Sequence, residues 1–242
     1  MLITGLITSG NASKKILLRA LGPSIPISGS PGALLNPTLA LYDRRGELIA
    51  SNDDWRETQE VEISATGIPA GDDRESAILA SLEAEEAYTA VVTAALNSTS
   101  GVALLEAYDL EPASAARLAN ISARGRVSAE EAHLIAGLIL GNSISNTRVL
   151  VRVLGPSLAA AGIQTVLSDP MLEVRDSNGT LLAANDNWKE TQQAEITGSG
   201  LAPTNAAESA VALTLPPGRA TAVGRGNTGE MGLNLVEVYN LQ

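Results

Sequence analysis

Hydrophobic and polar residues alternate along most of the chain with the period of a β-strand. In LEVR at 172–175 the apolar Leu172 and Val174 alternate with Glu173 and Arg175, and VALTL at 211–215 repeats the pattern. Successive side chains of a strand point to opposite faces of a sheet, so this pattern predicts strands with one buried face. Turn residues such as GPS, DP and PPG interrupt the apolar runs, and successive turn signals lie about 8 to 12 residues apart, which is typical of antiparallel β-sandwiches.

The strand pattern occurs twice. Four segments of the first half recur in the same order 133 residues later, and a fifth recurs 131 residues later. Self-similarity at one offset indicates a duplicated structural unit. The sequence therefore predicts an all-β protein of two tandem antiparallel β-sandwich domains, jelly-roll-like, at residues 1–112 and 113–242. The matching pairs are LLRALGPS (17–24) with LVRVLGPS (150–157), NPTLALYD (36–43) with DPMLEVRD (169–176), NDDW (52–55) with NDNW (185–188), ESAILASL (75–82) with ESAVALTL (208–215), and LLEAYDL (104–110) with LVEVYNL (235–241).

One segment also fits a helix. SAEEAHLIAGLIL at 128–140 begins with Ser and Glu at the spacing of a helix capping box. Its counterpart in the first half, LITGLITSG at 2–10, is rich in Thr and Ile and contains Gly. We interpret both segments as strands.

A polar motif follows a predicted hairpin in each half: NDDWRETQ at 52–59 and NDNWKETQ at 185–192. The hairpin has Asp and Gly three residues apart, which predicts a tight turn that ends on Gly46 or Gly179 in the left-handed conformation. The motif then leaves the end of a strand, where short polar side chains can bond free backbone groups and the Trp can cover the edge of the sandwich. We therefore predict a structural role for Asn52, Asp53, Trp55, Asn185, Asp186 and Trp188.

The same motif has a metal-binding interpretation. Carboxylate and amide oxygens at a turn suit Ca²⁺, and the candidate ligands are Asp53, Asp54, Asp186 and Asn187. Few such oxygens lie close together in either copy, and their order differs from that of the known calcium-binding loop, so the structural role is preferred. Apart from calcium, the sequence predicts no cofactor.

Composition disfavours several classes of function. The 242 residues include 16 basic and 27 acidic side chains, which give a net charge of −11 and disfavour nucleic acid as a partner. The chain has no cysteine and one histidine, His133, so no zinc site and no Ser–His or Cys–His catalytic system is predicted. No run of about 18 apolar residues is present, so we predict no membrane insertion.

Two arginines interrupt apolar strands at equivalent positions, Arg19 and Arg152. A buried guanidinium needs a carboxylate partner. Glu106 and Glu237 in the last strand of each half are the first candidates, and Glu75 and Glu208 are the second. Glu75 and Glu208 are not a catalytic pair, because equivalent residues of separate copies should lie far apart, whereas glycosidase carboxyl groups lie roughly 5 to 10 Å apart. No catalytic residue is predicted.

The order of motifs resembles a known family. GPS, NP or DP before a short strand, NDxW, ESA, LPPG followed by Thr and Ala, and a closing LVEVYNL look like the tandem β-sandwich repeats of uncharacterised secreted proteins of environmental bacteria. The order is similar, more distantly, to bacterial pre-peptidase C-terminal domains. The first half departs from the pattern at LEAEEAYTA, where LPPG is missing. The resemblance covers nearly the whole chain and implies an extracellular protein, although no export signal is visible, and it implies no catalytic residue.

The second half contains one predicted strand more than the first. RLANISARG at 117–125 precedes HLIAGLIL, whereas the first half begins directly at LITGLIT. A sheet that lacks a strand exposes backbone groups, and a strand of a neighbouring copy can complete it. We therefore predict a non-enzymatic structural or adhesive protein that self-associates into a filament by strand complementation. The predicted assembly strands contain Leu2, Ile3, Leu6, Leu118 and Ile121.

Two alternatives to the filament remain open. The gap in the first half is also expected if the chain is a piece of a longer array of repeats. A carbohydrate- or surface-binding module of a secreted enzyme is the other alternative, and it would present Trp55 and Trp188 as an exposed platform for a glycan or surface ligand.

Overall fold

The structure, a computed structural model, describes residues 1–26, 32–96, 100–127, 133–141, 145–227 and 230–241. These residues form fifteen strands and three short helices, and the strands pair antiparallel, so the protein is all-β. None of the helices in these ranges is long and apolar enough to cross a membrane.

The elements follow the two predicted halves. The first half contains β1 (Leu2–Ser9), β2 (Lys14–Leu21), β3 (Pro37–Tyr42), β4 (Leu48–Asn52), α1 (Glu60–Ala65), β5 (Ser76–Leu82), β6 (Ala87–Ala94) and β7 (Leu104–Asp109). The second contains β8 (Arg117–Val127), β9 (Leu134–Leu140), β10 (Thr147–Leu154), α2 (Pro156–Ala160), β11 (Pro170–Asp176), β12 (Leu181–Asn185), α3 (Gln193–Gly198), β13 (Ser209–Leu215), β14 (Gly218–Gly226) and β15 (Gly232–Asn240).

The chain divides into two compact units, Met1–Ala119 (unit 1) and Asn120–Gln242 (unit 2). Unit 1 contains sheets of order β4-β3-β6-β1 and β5-β2-β7, and unit 2 contains sheets of order β12-β11-β14-β9 and β13-β10-β15-β8. Strands β9 to β15 thus repeat β1 to β7. The additional strand is β8, which pairs with β15, whereas β7 pairs only with β2 among the described residues of unit 1.

The predicted Asp–Gly hairpins are confirmed. β3 pairs with β4 in unit 1 and β11 pairs with β12 in unit 2. In the first turn Asp43 Oδ1 accepts bonds from the backbone N–H groups of Arg45 and Glu47, both at 2.8 Å, and Gly46 has a φ of 80°. Asp176 forms the same turn in unit 2, where Gly179 has a φ of 82°.

The interpretation of residues 2–10 and 128–140 as strands holds where the structure describes them. β1 begins at Leu2 and β9 begins at Leu134, while residues 128–132, which include the possible capping box, lie outside the described residues. The three helices were not predicted from the sequence. α1 and α3 are six residues long and each buries a single apolar side chain, Ile63 or Ile196, so they lack the repeated apolar spacing by which a helix is recognised.

The two sheets of unit 2 contact each other closely. A Cβ atom on Gly224 of β14 would lie 2.9 Å from Val236 Cγ2 and 3.0 Å from Val153 Cγ1, both on the other sheet. Asn234 of β15 lies beside the same position, is fully buried, and has no hydrogen-bond partner for either amide atom within the described ranges. A buried amide without partners is costly, so this contact is less stable than an apolar one of the same shape.

Candidate functional site

Trp55 is part of a small apolar cluster on one face of the sheet β5-β2-β7. It packs with Leu17 of β2, Ile63 of α1 and Ala77 of β5, and it is only 2% exposed. The loop that carries Trp55 and α1 therefore covers this face of the sheet.

Trp188 forms the same cluster in unit 2, with Leu150, Ile196 and Ala210, and is 6% exposed. A glycan platform needs an accessible aromatic face. The prediction of an exposed Trp platform is therefore wrong for both tryptophans, because each ring is packed against its own sheet.

The motif at 52–59 also bonds the outer edge of β5. The Ala77 N–H donates to Asn52 Oδ1 at 2.8 Å. The Leu79 N–H donates to Gln59 Oε1 at 2.9 Å, and the Gln59 amide donates to the Leu79 carbonyl at 3.0 Å. Alternate residues of an edge strand direct their N–H and C=O groups away from the sheet. Side-chain amides thus take the place of a neighbouring strand along β5.

Unit 2 repeats this arrangement along β13. The Ala210 N–H donates to Asn185 Oδ1 at 2.9 Å, and Gln192 exchanges two bonds with Ala212, at 3.0 and 2.9 Å. We call residues 52–59 and 185–192 the edge motifs. An unpaired edge strand invites pairing with other chains, and these motifs remove that possibility from β5 and β13.

Glu75 is a fully buried carboxylate that joins two loops of unit 1. Its Oε1 accepts bonds from the Gly22 N–H and from the N–H and hydroxyl of Ser24, at 2.9, 2.9 and 2.6 Å. Its Oε2 accepts bonds from the N–H groups of Gly71 and Asp72, at 3.0 and 3.1 Å. Burial by itself raises the pKa of Glu75, but the bonds from Ser24, Gly22 and Asp72 outweigh it, so the pKa lies below its usual value.

Glu208 has the same role in unit 2 and is also fully buried. It accepts bonds from the Gly155 N–H at 3.1 Å, from the N–H and hydroxyl of Ser157 at 2.8 and 2.5 Å, and from the Asn205 N–H at 3.3 Å. The second candidates for the arginine partners are therefore wrong.

Arg19 lies on β2 opposite Glu106 of β7. Its Nε donates to Glu106 Oε2 at 2.9 Å, its Nη2 donates to the same oxygen and to the Tyr108 hydroxyl, and its Nη1 donates to the carbonyls of Ile68 and Pro69. The Arg19 side chain is 12% exposed. This network joins the loop after α1 to the sheet.

Arg152 and Glu237 form the equivalent network in unit 2. The Arg152 Nε donates to Glu237 Oε2 at 2.9 Å, and Nη1 donates to the Leu201 carbonyl at 2.5 Å. Arg152 is 12% exposed and so is not solvated on the outer face. Burial, reinforced by the charge of Glu237, raises the pKa of Tyr239 to about 12. Every charged atom of this group has a partner, so the network cross-links the fold.

The candidate calcium ligands of unit 1 lie in the turn after β4. The Asp53 carbonyl accepts a bond from Ser76 Oγ at 2.7 Å, and the Asp54 carbonyl accepts one from Asn52 Nδ2 at 2.9 Å. Burial, with a smaller contribution from the Asp54 charge, raises the pKa of Asp53. Protein donors thus hold the backbone of the turn, whereas Asp54 Oδ1 is buried without a hydrogen-bond partner among the described residues.

The candidates of unit 2 lie in the turn after β12. Asp186 Oδ2 accepts bonds from Asn227 Nδ2 at 3.0 Å and from Asn187 Nδ2 at 3.4 Å, and the same Asn227 amide donates to Asp169 Oδ2 at 3.0 Å. Burial and the nearby Asp169 charge raise the pKa of Asp186. Within the described ranges no three His, Cys, Asp or Glu residues are grouped so that they could hold a metal ion.

The predicted assembly residues lie in β1 and β8. Leu2 and Ile3 pair with Val92 and Val91 of β6. Leu6 is fully buried and Ile121 lies opposite Val238 of β15, so these two side chains are already used within the units. The predicted assignment of Leu6 and Ile121 to contacts between copies is therefore wrong. Leu118 lies near the beginning of β8.

The outer edge of β7 has no partner strand among the described residues of unit 1. The Leu110 N–H donates to the Lys15 carbonyl at 3.0 Å. Bonded pairs alternate along an antiparallel ladder, so Glu106 and Tyr108 also bond β2, whereas the N–H and C=O groups of Leu105 and Ala107 point away from it. In unit 2 the equivalent groups of Val236 and Val238 face β8.

This difference is visible in the burial of side chains. Val236 and Val238 are 0% and 8% exposed, whereas Leu105 and Ala107 are only partly buried. The Glu106 side chain is 24% exposed, compared with 10% for Glu237. Within the part of unit 1 that the structure describes, the outer edge of β7 is therefore unpaired, where unit 2 has β8.

No protein-family model and no curated protein matches the sequence. The major capsid protein P2 of Bacteriophage PM2 is a similar solved structure, with 9% identity, coverage of 97% of this chain and 90% of that chain, and a TM-score of 0.25. A structure of Sulfolobus Turreted Icosahedral Virus has 10% identity, coverage of 98% and 87%, and a TM-score of 0.24. The infectious bursal disease virus VP2 subviral particle has 12% identity, coverage of 98% and 68%, and a TM-score of 0.20. TM-scores this low define neither the class of this protein nor its activity.

Proposed function

We propose that this chain is a non-enzymatic extracellular structural protein whose copies assemble into a filament by strand complementation. Its two units are two tandem antiparallel β-sandwich domains of jelly-roll-like topology. The extracellular location rests on the resemblance of the motif order to repeats of secreted proteins. One observation carries the proposal: among the described residues β7 in unit 1 has no partner on its outer edge, where the equivalent β15 in unit 2 is paired with β8.

The protection of the β5 and β13 edges supports a specific role for β7. The edge motifs bond β5 and β13 through side-chain amides. Such protection is expected where pairing with another chain must be avoided. The β7 edge has no motif of this kind among the described residues, and it occurs once per chain. An acceptor edge in one unit that binds a different surface of the next copy forms a heterologous contact, which builds an open filament.

The test uses a proline on the outward-facing side of β7. Ala107→Pro removes an N–H that does not bond β2, and proline is tolerated on an edge strand, so the monomer should stay folded. Val238→Pro is the matched control, because its N–H faces β8 and its loss should lower stability. Sedimentation at increasing concentration, with electron microscopy, measures assembly. The proposal predicts filaments of the wild-type chain and a folded, monomeric Ala107→Pro variant.

Two results would overturn it. A wild-type chain that stays monomeric at every concentration excludes assembly through any edge. Filaments that form equally well from folded Ala107→Pro exclude the β7 edge as the contact.

A further inference from the structure

We infer that the strand which occupies the β7 edge is β9 from unit 2 of a second copy of this chain. The inference rests on the proposed function and names the two surfaces that meet. β9 is the last strand of the sheet β12-β11-β14-β9, and it pairs only with β14 among the described residues.

β9 has the chemistry of an unprotected edge strand. Its sequence, LIAGLIL, contains no charged residue, and Ile135 and Ile139 are 58% and 69% exposed. In a chain with a net charge of −11, an uncharged strand is a place where two copies can approach with little repulsion. A flat, apolar, uncharged edge is expected to pair with another strand.

Alternate residues of β9 have backbone N–H and C=O groups that are free to bond another strand. The Asn227 N–H donates to the Asp169 carbonyl at 3.0 Å, which fixes the bonded pairs between β11 and β14. The alternation then assigns Leu134, Ala136 and Leu138 to bonds with β14. The N–H and C=O groups of Ile135, Gly137 and Ile139 therefore point outward, as those of Leu105 and Ala107 do on β7.

Outward-facing residues of two strands lie opposite each other when the strands pair. Their side chains then point to the same face of the joined sheet. Leu105 and Ala107 are on the face of β7 opposite the one that carries Glu106 and Tyr108. The exposed side chains of Ile135 and Ile139 would thus cover the partly buried face of unit 1.

The sizes of these side chains are complementary. The outward-facing residues of β7 are Leu105, Ala107 and Asp109, and the first two are a large and a small side chain. The outward-facing residues of β9, read in the opposite direction, are large, small and large: Ile139, Gly137 and Ile135. The antiparallel register that places Ala107 opposite Ile135 and Leu105 opposite Gly137 sets a small side chain against a large one in both of these pairs.

The pairing of β8 with β15 in unit 2 has a similar order of side-chain sizes. On the equivalent edge of β15, Val238 lies opposite Ile121 and Val236 lies opposite Ala123 of β8. The order of a large residue followed by a small one is therefore the same in β8 and in the proposed β9 register. Each chain supplies one β7 edge and one β9 edge, so the contact repeats from copy to copy.

The register can be tested by cross-linking, because the chain has no cysteine of its own. Ala107→Cys in one preparation is mixed with Ile135→Cys in another and oxidised. Directly bonded antiparallel pairs have Cα atoms about 5.5 Å apart, which is within the range for a disulfide. We expect a mixed dimer from this pair at a yield at least about tenfold above that from Ala107→Cys with Ala136→Cys, which faces the other side of β9.

A second pair of variants tests the surface without cysteine. Ile139→Lys places a charge on the donor edge and should abolish assembly, whereas Val61→Lys changes an apolar side chain that is 78% exposed on α1 and should leave assembly unchanged. One set of results would refute the β9 assignment and leave the filament function standing. In it the wild-type chain forms filaments and Ala107→Pro prevents them, but Ile139→Lys assembles normally and no register-specific cross-link forms. If the specific cross-link forms but the wild-type chain builds no filament, the β9 contact stands and the filament function fails.

Discussion

Replacing Glu75 with Gln should destabilise unit 1 strongly, although the two side chains have nearly the same shape. The substitution removes the charge and converts one acceptor oxygen into a donor. Gln can still accept the bonds from Gly22 and Ser24 through its remaining oxygen. Its NH₂ group would then face the N–H groups of Gly71 and Asp72, which donate to Oε2 at 3.0 and 3.1 Å in the wild-type protein.

The magnitude follows from the bonds that are lost. A hydrogen bond to a charged group contributes about 1.5–3 kcal/mol, so two lost bonds predict a decrease of about 3–6 kcal/mol in the free energy of unfolding. Glu208→Gln is the matched comparison, because only the Asn205 N–H donates to its second oxygen, at 3.3 Å. Its expected loss is about half as large. Glu57→Gln on the exposed part of the edge motif should change stability by less than about 0.5 kcal/mol.

The assay is urea denaturation followed by tryptophan fluorescence, since each unit contains one buried Trp. The pKa of Glu75 is lower in the folded protein than the ordinary value of 4.5 for a glutamate side chain. Its stabilising contribution is therefore complete above that value and is lost as the pH falls through the folded-state pKa. The deficit of Glu75→Gln should thus shrink below pH 4.5. Equal losses of under about 1 kcal/mol for both Gln variants, or a deficit that does not change with pH, would refute the reasoning.

Three further substitutions test other parts of the account. Gln59→Leu removes two hydrogen bonds to Leu79, so we expect the free energy of unfolding to fall by about 1–3 kcal/mol. Light scattering should increase, because part of the β5 edge becomes unpaired, and unchanged scattering would contradict the role of the edge motif. Asn234→Leu replaces a fully buried amide that has no protein partner in the described ranges, and should raise the free energy of unfolding by about 1–3 kcal/mol in the same urea assay; a loss would show that the amide is satisfied. Asp186→Asn removes a carboxylate whose pKa is raised above 3.8 in the folded protein, so the charged form destabilises the fold as the pH rises through the folded-state pKa. The variant should therefore be more stable than the wild type at pH 7 and equally stable below pH 3.8. Thermal unfolding measures this difference, and the opposite trend with pH would rule the explanation out.

Two kinds of feature could be predicted from the sequence: local turns and strands, and residue pairs that recur at equivalent positions in both halves. Alternating side chains and the Asp–Gly spacing specify the hairpins, because strand phase and turn geometry depend on neighbouring residues. Arg19 could be matched with Glu106 because a charged residue interrupts an apolar strand at the same place in both halves. The structure brings these two side chains together across β2 and β7.

The features that escaped prediction depend on contacts between distant segments. Gln59 bonds Leu79, and Glu75 bonds Gly22 and Ser24, and no local pattern indicates which backbone groups a side-chain amide or carboxylate will reach. The packing of Trp55 against Leu17 and Ile63 also joins distant segments, and these partners were not predicted. A six-residue helix with one buried side chain has too little periodicity to be recognised in advance.

Amide hydrogen exchange, resolved by residue with NMR, tests the central claim most directly. The N–H groups of Leu105 and Ala107 should exchange rapidly in a dilute monomer and become protected as the chain assembles, whereas those of Val236 and Val238 should be protected throughout. Protection of Leu105 and Ala107 in the monomer equal to that of Val236 and Val238 would contradict the claim that β7 has a free edge.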